Sequence, residues 1–260
     1  MATSMRFVET TAFVLRTHAL GEADRIVTLF SRAAGKLRGV APQASSSRKR
    51  FGGALSMLAE VEVRFRQRTG RDLGRLERCT PLRATPGGGS DVPAFYAAAY
   101  ISEVLQAFSR EGDADDHLYR LVQSTCDALE AQVEAYGVCR YFDIWTLKLA
   151  GLLPDLRRCA RCSGSLARVG AVATDQGEVV CPACCPAPAG TRRRLSPSAL
   201  TAIERFIALP PRRALDGSTR VQALRDIGTF ASNQYLTLTD RPFRTAAALV
   251  PGRSRAGVPA

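Results

Sequence analysis

The sequence predicts an α+β multidomain protein, in which a small N-terminal β-barrel precedes an α-helical domain that carries a cysteine-rich ribbon. Three observations support this prediction. The first 80 residues alternate between short strand-like runs and turn residues, and the middle of the chain carries apolar residues at helical spacing. Two CxxC pairs then follow at 159–162 and 181–184.

Five candidate strands account for the predicted barrel. They are expected at residues 7–15, 24–31, 36–41, 60–66 and 72–79. The clearest is the fourth, where Val61, Val63 and Phe65 alternate with charged residues, so that one face is apolar and the other polar. Five short strands in so short a segment are typical of an OB-fold β-barrel. We therefore predict an OB-fold domain over residues 1–83.

A linker is predicted at 84–90, where the sequence ATPGGGS neither continues a strand nor favours a helix. The α-helical domain is then expected over 91–250. Its first helix should begin after Asp91, an N-cap residue with Pro93 in the first turn. Further helices are predicted at 115–135, 140–152, 196–209 and 220–238. The Pro/Gly/Arg-rich residues 251–260 are expected to form a disordered tail.

Aromatic residues in the helical half are predicted to form its core rather than a binding platform. These residues are Tyr96, Tyr100, Phe142 and Trp145.

The cysteine pairs predict a zinc site. Cys159 and Cys162 are separated from Cys181 and Cys184 by 18 residues, within the range of about 15–20 that is typical of four-cysteine ribbons. Each CxxC turn lets two thiolates converge, and two such turns complete a tetrahedral shell. We predict one structural Zn²⁺ per chain, in a ribbon inserted at about 157–190 whose hairpin pairs 169–174 with 178–180.

Other interpretations of the cysteines stay open. Cys185 directly follows Cys184 and is an alternative fourth ligand. The quartet could also form disulfides under oxidation, or be a site that has lost its metal. Cys79, Cys126 and Cys139 are predicted to be packed thiols.

An enzymatic role is not predicted. A catalytic zinc keeps one position open for water, and four thiolates leave none. Neither His18 nor His117 stands in the HxE pattern of zinc deaminases, and the sequence has no GxxxxGK phosphate loop. A zinc-dependent nucleic-acid enzyme and a zinc-ribbon transcription regulator remain the alternatives.

Charge indicates a polyanionic partner. The net charge of +12 divides into +8 over residues 1–80, −6 over 81–156 and +10 over 157–260. Such basic segments are typical of proteins that bind nucleic acid. The run Arg48-Lys49-Arg50 lies between predicted strands, where a loop can present cations to phosphates. Arg64 and Arg66 fall on the polar face of the fourth strand.

Two segments of the chain carry motifs that point to a known family. In the opening FVLRTHALGEADRIVTLFSRAAGKLRGVAP, Val-Leu-Arg leads to Gly-Glu-Ala-Asp-Arg and then Gly-Lys. The later LKLAGLLPDLRRCARCSG is rich in leucine and has Gly-x-x-Pro before the first cysteine pair. In both motifs the chain resembles the RecO family of bacterial recombination and repair mediators, the first being similar to the family's N-terminal signature and the second to its leucine-rich helix. The chain departs from the family at 41–45, where Ala-Pro-Gln-Ala-Ser replaces the usual glycine and basic residues.

The resemblance implies a non-enzymatic protein with an OB fold, a helical domain and a zinc-binding insertion. It implies binding to single- and double-stranded DNA, annealing of complementary strands and, with RecR, loading of RecA on DNA coated by single-strand-binding protein. No membrane partner is expected, and the expected location is the bacterial cytoplasm, at the nucleoid. The expected DNA-binding residues are Arg16, Arg25, Lys36, Arg38, Arg48, Lys49, Arg50, Arg64 and Arg66.

Overall fold

The fold is taken from a computed structural model, which describes residues 5–44, 51–68, 73–88, 91–174, 177–185, 194–249 and 251. The chain forms two compact units, Met1–Gln123 and Ser124–Ala260. This division falls inside a helix, whereas the sequence predicts a linker at 84–90. The predicted domain boundaries stay a prediction.

Unit 1 contains a closed five-stranded barrel with the strand order β1-β2-β3-β5-β4. The strands are β1 Met5–Leu20, β2 Asp24–Ser31, β3 Gly35–Ala41, β4 Glu60–Arg68 and β5 Gly74–Arg83. Neighbouring strands are antiparallel except β3 and β5, which pair in parallel. The prediction of an OB-like barrel is confirmed, with one strand at each of the five predicted places.

The barrel closes around an apolar core because alternate residues of each strand point inward. Among the core residues are Val8, Ala12, Val14, Val27, Leu29, Leu37, Val61, Val63, Phe65 and Leu76. The pairing of β1 with β2 shifts between Val14 and Arg16, which marks a β-bulge. Arg16 then stands opposite Thr28 and is exposed.

The ring of Phe65 lies under the parallel seam between β3 and β5, where two glycines leave room for it. A Cβ atom added to Gly39 would lie 2.5 Å from Phe65 Cε2, and one added to Gly74 would lie 2.4 Å from Phe65 Cε1. Distances this short cannot be accommodated without moving the ring or the strands. The seam therefore depends on glycine at both positions.

The substitution Gly39→Ala should lower the free energy of unfolding by about 1–3 kcal/mol, because it overpacks the core against Phe65. Urea denaturation followed by circular dichroism would measure this loss. Gly53→Ala is the matched control, since a Cβ atom at Gly53 meets nothing within 4 Å; its effect should stay below about 0.5 kcal/mol. Equal stabilities of the two variants would contradict the packing described at the seam.

Unit 1 also contains helix α1, Val92–Phe108, and the start of α2, Asp116–Glu130. The Asp91 side chain accepts a hydrogen bond from the backbone N–H of Ala94 at 3.1 Å, so the predicted N-cap is confirmed. In α2, the ring of Tyr119 packs against Phe13 and Phe30, with centroids 5.0 and 5.9 Å apart. These contacts hold α2 against the barrel.

The prediction that Tyr96 packs in the core is wrong. Its side chain is 42% exposed, whereas Tyr100 and Phe142 are fully buried and Trp145 is half-buried. The buried stripe of α1 consists of Ala94, Ala97, Ala98, Tyr100, Ile101, Ser102, Val104 and Leu105. Tyr96 lies outside this stripe, on the solvent-exposed face of the helix.

Unit 2 combines packed helices with a small sheet. Its helices are α3 Ala135–Leu149, α4 Pro197–Ala208, the short α5 Pro211–Ala214 and α6 Val221–Thr239. Helices α3, α4 and α6 pack against one another. The sheet has the order β7-β6-β8, formed by β6 Ala171–Ala173, β7 Val179–Val180 and β8 Arg194–Leu195. The predicted ribbon hairpin is confirmed as β6 and β7, and β8 is an additional strand.

A buried ion pair lies where α3 faces α6. Arg140 Nη2 is 3.1 Å from Asp143 Oδ2, and the two side chains are 5% and 0% exposed. The Tyr235 hydroxyl donates to Asp143 Oδ1 at 3.1 Å, and the Arg140 guanidinium lies 4.9 Å from the ring centroid of Tyr136. A Cβ atom at Gly228 would lie 2.2 Å from Arg140 Nη1. Glycine at this position therefore leaves the space that the guanidinium occupies.

Over the described parts of the chain, no helix is both long enough and apolar enough to cross a membrane.

Candidate metal centre and nucleic-acid interface

Four cysteine thiols meet at one point in unit 2 and could hold a metal ion. The Sγ atoms of Cys159, Cys162, Cys181 and Cys184 all lie within 4.8 Å of one another. The sulfurs of Cys162 and Cys181 are 3.8 Å apart. Metal–sulfur bonds of about 2.3 Å in a tetrahedron place the sulfurs about 3.8 Å apart, so the quartet fits a four-coordinate ion. The fourth thiol is that of Cys184, and Cys185 lies outside the quartet.

Backbone turns on two segments bring these thiols together. In the first, the amide of Ser163 donates to the Cys159 carbonyl at 2.9 Å; in the second, the amide of Cys184 donates to the Cys181 carbonyl at 3.1 Å. Arg161, inside the first CxxC turn, donates to the Cys184 carbonyl of the second turn at 3.1 Å. The sheet supplies a further link, because the amide of Ala160 donates to the Val179 carbonyl at 3.0 Å.

Two thiols of the quartet, those of Cys159 and Cys184, have pKa values that differ from that of an ordinary thiol. Hydrogen bonds from backbone amides, first that of Cys162, lower the pKa of Cys159 to about 6. Hydrogen bonds with the sulfurs of Cys181 and Cys162 raise the pKa of Cys184 to about 12. Neighbouring thiolates repel one another, so all four can ionise together only with a cation between them. The donor set is therefore suited to a divalent metal with an affinity for sulfur.

Three cysteines far from the quartet in sequence are packed thiols, as predicted. Cys79, Cys126 and Cys139 are buried, each away from the quartet. Burial raises the pKa of Cys79 to about 12 and also raises the pKa of Cys139. The thiols of Cys79 and Cys139 therefore stay protonated near neutral pH and offer no thiolate to a metal.

On the barrel, two of the predicted DNA-binding residues lie side by side on the outer face of β1–β3. Arg16 stands opposite Thr28, and Thr28 stands opposite Arg38. Strands lie about 4.8 Å apart, which puts the Cα atoms of the two arginines about 10 Å apart. Both side chains are exposed, and neither forms an ion pair with any carboxylate in the described part of the chain. Their guanidinium groups are therefore available to phosphates.

Lys36 has a different environment. Its ammonium group donates to the Gln106 carbonyl in the last turn of α1 at 2.7 Å, and burial lowers its pKa. The preceding Gly35 has a φ of +63° and approaches 110–113 so closely that a Cβ atom would lie 2.1 Å from the Asp113 carbonyl oxygen. In this structure the Gly35-Lys36 pair holds α1 and the loop after it against the barrel.

The other predicted DNA-binding residues differ in how exposed they are and in whether carboxylates contact them. Arg64 Nε lies 3.3 Å from Glu9 and 3.4 Å from Glu77, and Arg66 Nε lies 3.2 Å from Glu77. Their charges are partly compensated by these carboxylates. Arg25 is half-buried at the start of β2. Arg48, Lys49 and Arg50 lie outside the described residues.

Arg75 is a cation that the sequence analysis missed. It is exposed on β5, opposite Arg66 on β4 and Val40 on β3. Its predicted strand, 72–79, carried no clear alternation that would have shown which residues face outward. The parallel pairing of β3 with β5, which places Arg75 beside these positions, has no signal in the sequence.

Comparison with known proteins gives matches along most of the chain. The family model described as recombination protein O N terminal matches residues 5–85, and that described as recombination protein O C terminal matches residues 89–237. The DNA repair protein RecO of Koribacter versatilis is 39% identical over 155 residues, which cover 60% of this chain and 63% of that protein. The DNA repair protein RecO of an Anaeromyxobacter species, strain Fw109-5, is 36% identical over 200 residues, which cover 76% of this chain and 78% of that protein.

Proposed function

The chain belongs to the RecO family of DNA repair proteins, and on that premise we propose that it is a non-enzymatic mediator that binds DNA through its barrel. The observation that carries this proposal is the exposed pair Arg16 and Arg38, held in register across three strands without a carboxylate partner in the described chain. Cations placed in this way on a rigid sheet bind the phosphate backbone of either single- or double-stranded DNA.

Binding of this kind would be largely independent of sequence. Phosphate contacts carry no base information, and the described outer face of β1–β3 around Arg16 and Arg38 offers no exposed Phe, Tyr or Trp ring, since Phe13 and Phe30 are fully buried. Neutralised phosphates repel one another less, so strands bound at neighbouring basic surfaces can meet and pair. Annealing of complementary strands follows from this without any chemical step by the protein.

The metal of this proposal is zinc, held by the four thiolates of the quartet. Four sulfur ligands at tetrahedral spacing are typical of structural zinc sites, which leave no open position for a reacting water. When bound, zinc would neutralise the thiolates and cross-link the two CxxC turns. Arg161 supports the same connection through the Cys184 carbonyl.

The further partners in this proposal are RecR, single-strand-binding protein and, indirectly, RecA. Named relatives are DNA repair proteins, which supports action on DNA in the bacterial cytoplasm, at the nucleoid. In this role the protein would anneal strands coated with single-strand-binding protein and, with RecR, help RecA to load.

The variant Arg16→Gln/Arg38→Gln should bind both single-stranded and duplex DNA more weakly than the wild type. Each lost phosphate contact should reduce the log–log slope of affinity against salt by about 0.7 for single strands and about 0.9 for duplex. Fluorescence anisotropy over a range of salt concentrations would measure both quantities. Arg32→Gln is the matched control, because Arg32 is also exposed but is already bonded to Asp116 at 2.7 Å. An unchanged slope in the double variant would remove this face of the barrel from the DNA site.

A further inference from the structure

A second basic surface lies on a different side of the barrel, over β1, β4 and β5. A cavity of about 270 Å³ opens there, lined by Met5, Arg66, Arg68, Leu73, Gly74 and Arg75. Strand pairing builds it, because Met5 stands opposite Arg68 and Arg66 stands opposite Arg75. Its volume is below the range of about 300–1,000 Å³ that small-molecule pockets occupy, so an open groove for part of a chain fits it better than an enclosed cofactor site.

The charge of this surface is positive. Arg64 and Arg66 share Glu77, and Arg64 also contacts Glu9. Arg68 and Arg75 are exposed and form no ion pair within the described ranges. Two guanidinium groups are therefore available beside the cavity, while the two that are paired hold their positions on the sheet.

An exposed aromatic ring lies next to these arginines. Phe7 stands opposite Arg66 on the neighbouring strand, and its side chain is 54% exposed. The Arg64 guanidinium lies 5.9 Å from the centroid of the Phe7 ring, which supports the ring by a cation–π contact. Two apolar side chains that line the cavity, Met5 and Leu73, extend the apolar surface beside the cations. Among the described residues, the face with Arg16 and Arg38 has no such exposed ring.

We propose that this cavity and Phe7 form a binding site for single-stranded DNA, in which Arg68 and Arg75 hold phosphates and an unpaired base stacks on the Phe7 ring. The combination of a cationic groove with an exposed aromatic ring is the general chemistry of single-strand recognition. Duplex DNA does not satisfy it, because its base faces are already stacked on one another. The proposal rests on the proposed DNA-binding function and adds a site that selects single strands.

The test compares the affinities of full-length variants for an oligothymidine strand and for a duplex. Phe7→Ala should weaken single-strand binding about 5- to 150-fold, the effect of losing one base–aromatic stack, and should leave duplex binding unchanged. Arg75→Gln should reduce the single-strand salt slope by about 0.7. Phe95→Ala is the matched control, because Phe95 is 46% exposed in the same unit but lies on α1; it should bind both DNAs as the wild type does.

A conservative variant separates binding from folding. Phe7→Trp should keep single-strand affinity, and its tryptophan emission should be quenched by the single strand but not by the duplex. The wild type, whose one tryptophan is Trp145 in unit 2, gives the reference emission. Wild-type single-strand affinity in Phe7→Ala, or an equal loss for single strand and duplex, would overturn this site while leaving the proposed function standing. A wild-type protein that binds neither DNA would overturn both.

Discussion

Replacing Cys159 by serine should release the metal and destabilise unit 2. Cys159 is 2% exposed and its sulfur accepts a hydrogen bond from the Cys181 amide at 3.2 Å, so the thiol is part of the packing as well as of the quartet. Zinc contributes on the order of 10 kcal/mol of apparent folding free energy in small zinc domains. Even a fraction of this free energy exceeds the change in stability that a typical surface substitution causes. Metal content per chain and thermal unfolding, with and without a chelator, would measure the change.

The neighbouring Cys184 and Cys185 provide a matched pair of controls for this experiment. Cys184→Ser should lose the metal, because its sulfur belongs to the quartet, whereas Cys185→Ser should keep it. DNA binding should fall in the metal-free variants only as far as the fold is lost. If Cys185→Ser lost the metal and Cys184→Ser kept it, the ligand assignment would be wrong.

Replacing Arg140 by alanine should lower the free energy of unfolding by about 3–5 kcal/mol, because the charge of Asp143 would remain buried without the Arg140 guanidinium beside it. Asp143 is fully buried, and the Tyr235 hydroxyl that donates to its Oδ1 is neutral, so it does not replace the lost positive charge. Urea denaturation followed by the emission of Trp145, which lies on the same helix α3, would measure the loss.

Two further variants separate this effect from ordinary loss of packing. Arg32→Ala breaks an exposed ion pair with Asp116 and should change stability by at most about 1 kcal/mol. The double variant Arg140→Met/Asp143→Leu removes both charges and should lose less stability than Arg140→Met alone. A double variant that is less stable than the single one would contradict this explanation, because it would show that the unpaired charge of Asp143 is not what costs stability.

Much of the fold could be predicted from local sequence patterns. The alternation of Val61, Val63 and Phe65 is a property of β4 alone, and the cap at Asp91 depends on residues within one turn of helix. The metal quartet could also be predicted, because the spacing of the two CxxC pairs indicates which thiols converge; only the choice between Cys184 and Cys185 needed the structure. Each of these features depends on residues that lie close together in the sequence.

The features that were missed depend on contacts between distant segments. The environment of Lys36 follows from the docking of Gln106, which is 70 residues away in sequence. An aromatic residue in a helical segment usually lies in the core, which predicts a buried Tyr96, yet the buried stripe of α1 does not include it. The group formed by Phe7, Arg66 and Arg75 exists only through the pairing of three strands. No local pattern predicts such pairings.

An annealing assay with complementary strands coated by single-strand-binding protein tests the proposed mediator function most directly. The wild-type protein should accelerate annealing without consuming a nucleotide, and the acceleration should weaken as salt rises because phosphate contacts carry the binding. The Arg16→Gln/Arg38→Gln variant should accelerate annealing less than Arg32→Gln does. A folded, metal-loaded protein that neither binds DNA nor anneals the coated strands would contradict the proposed mediator function.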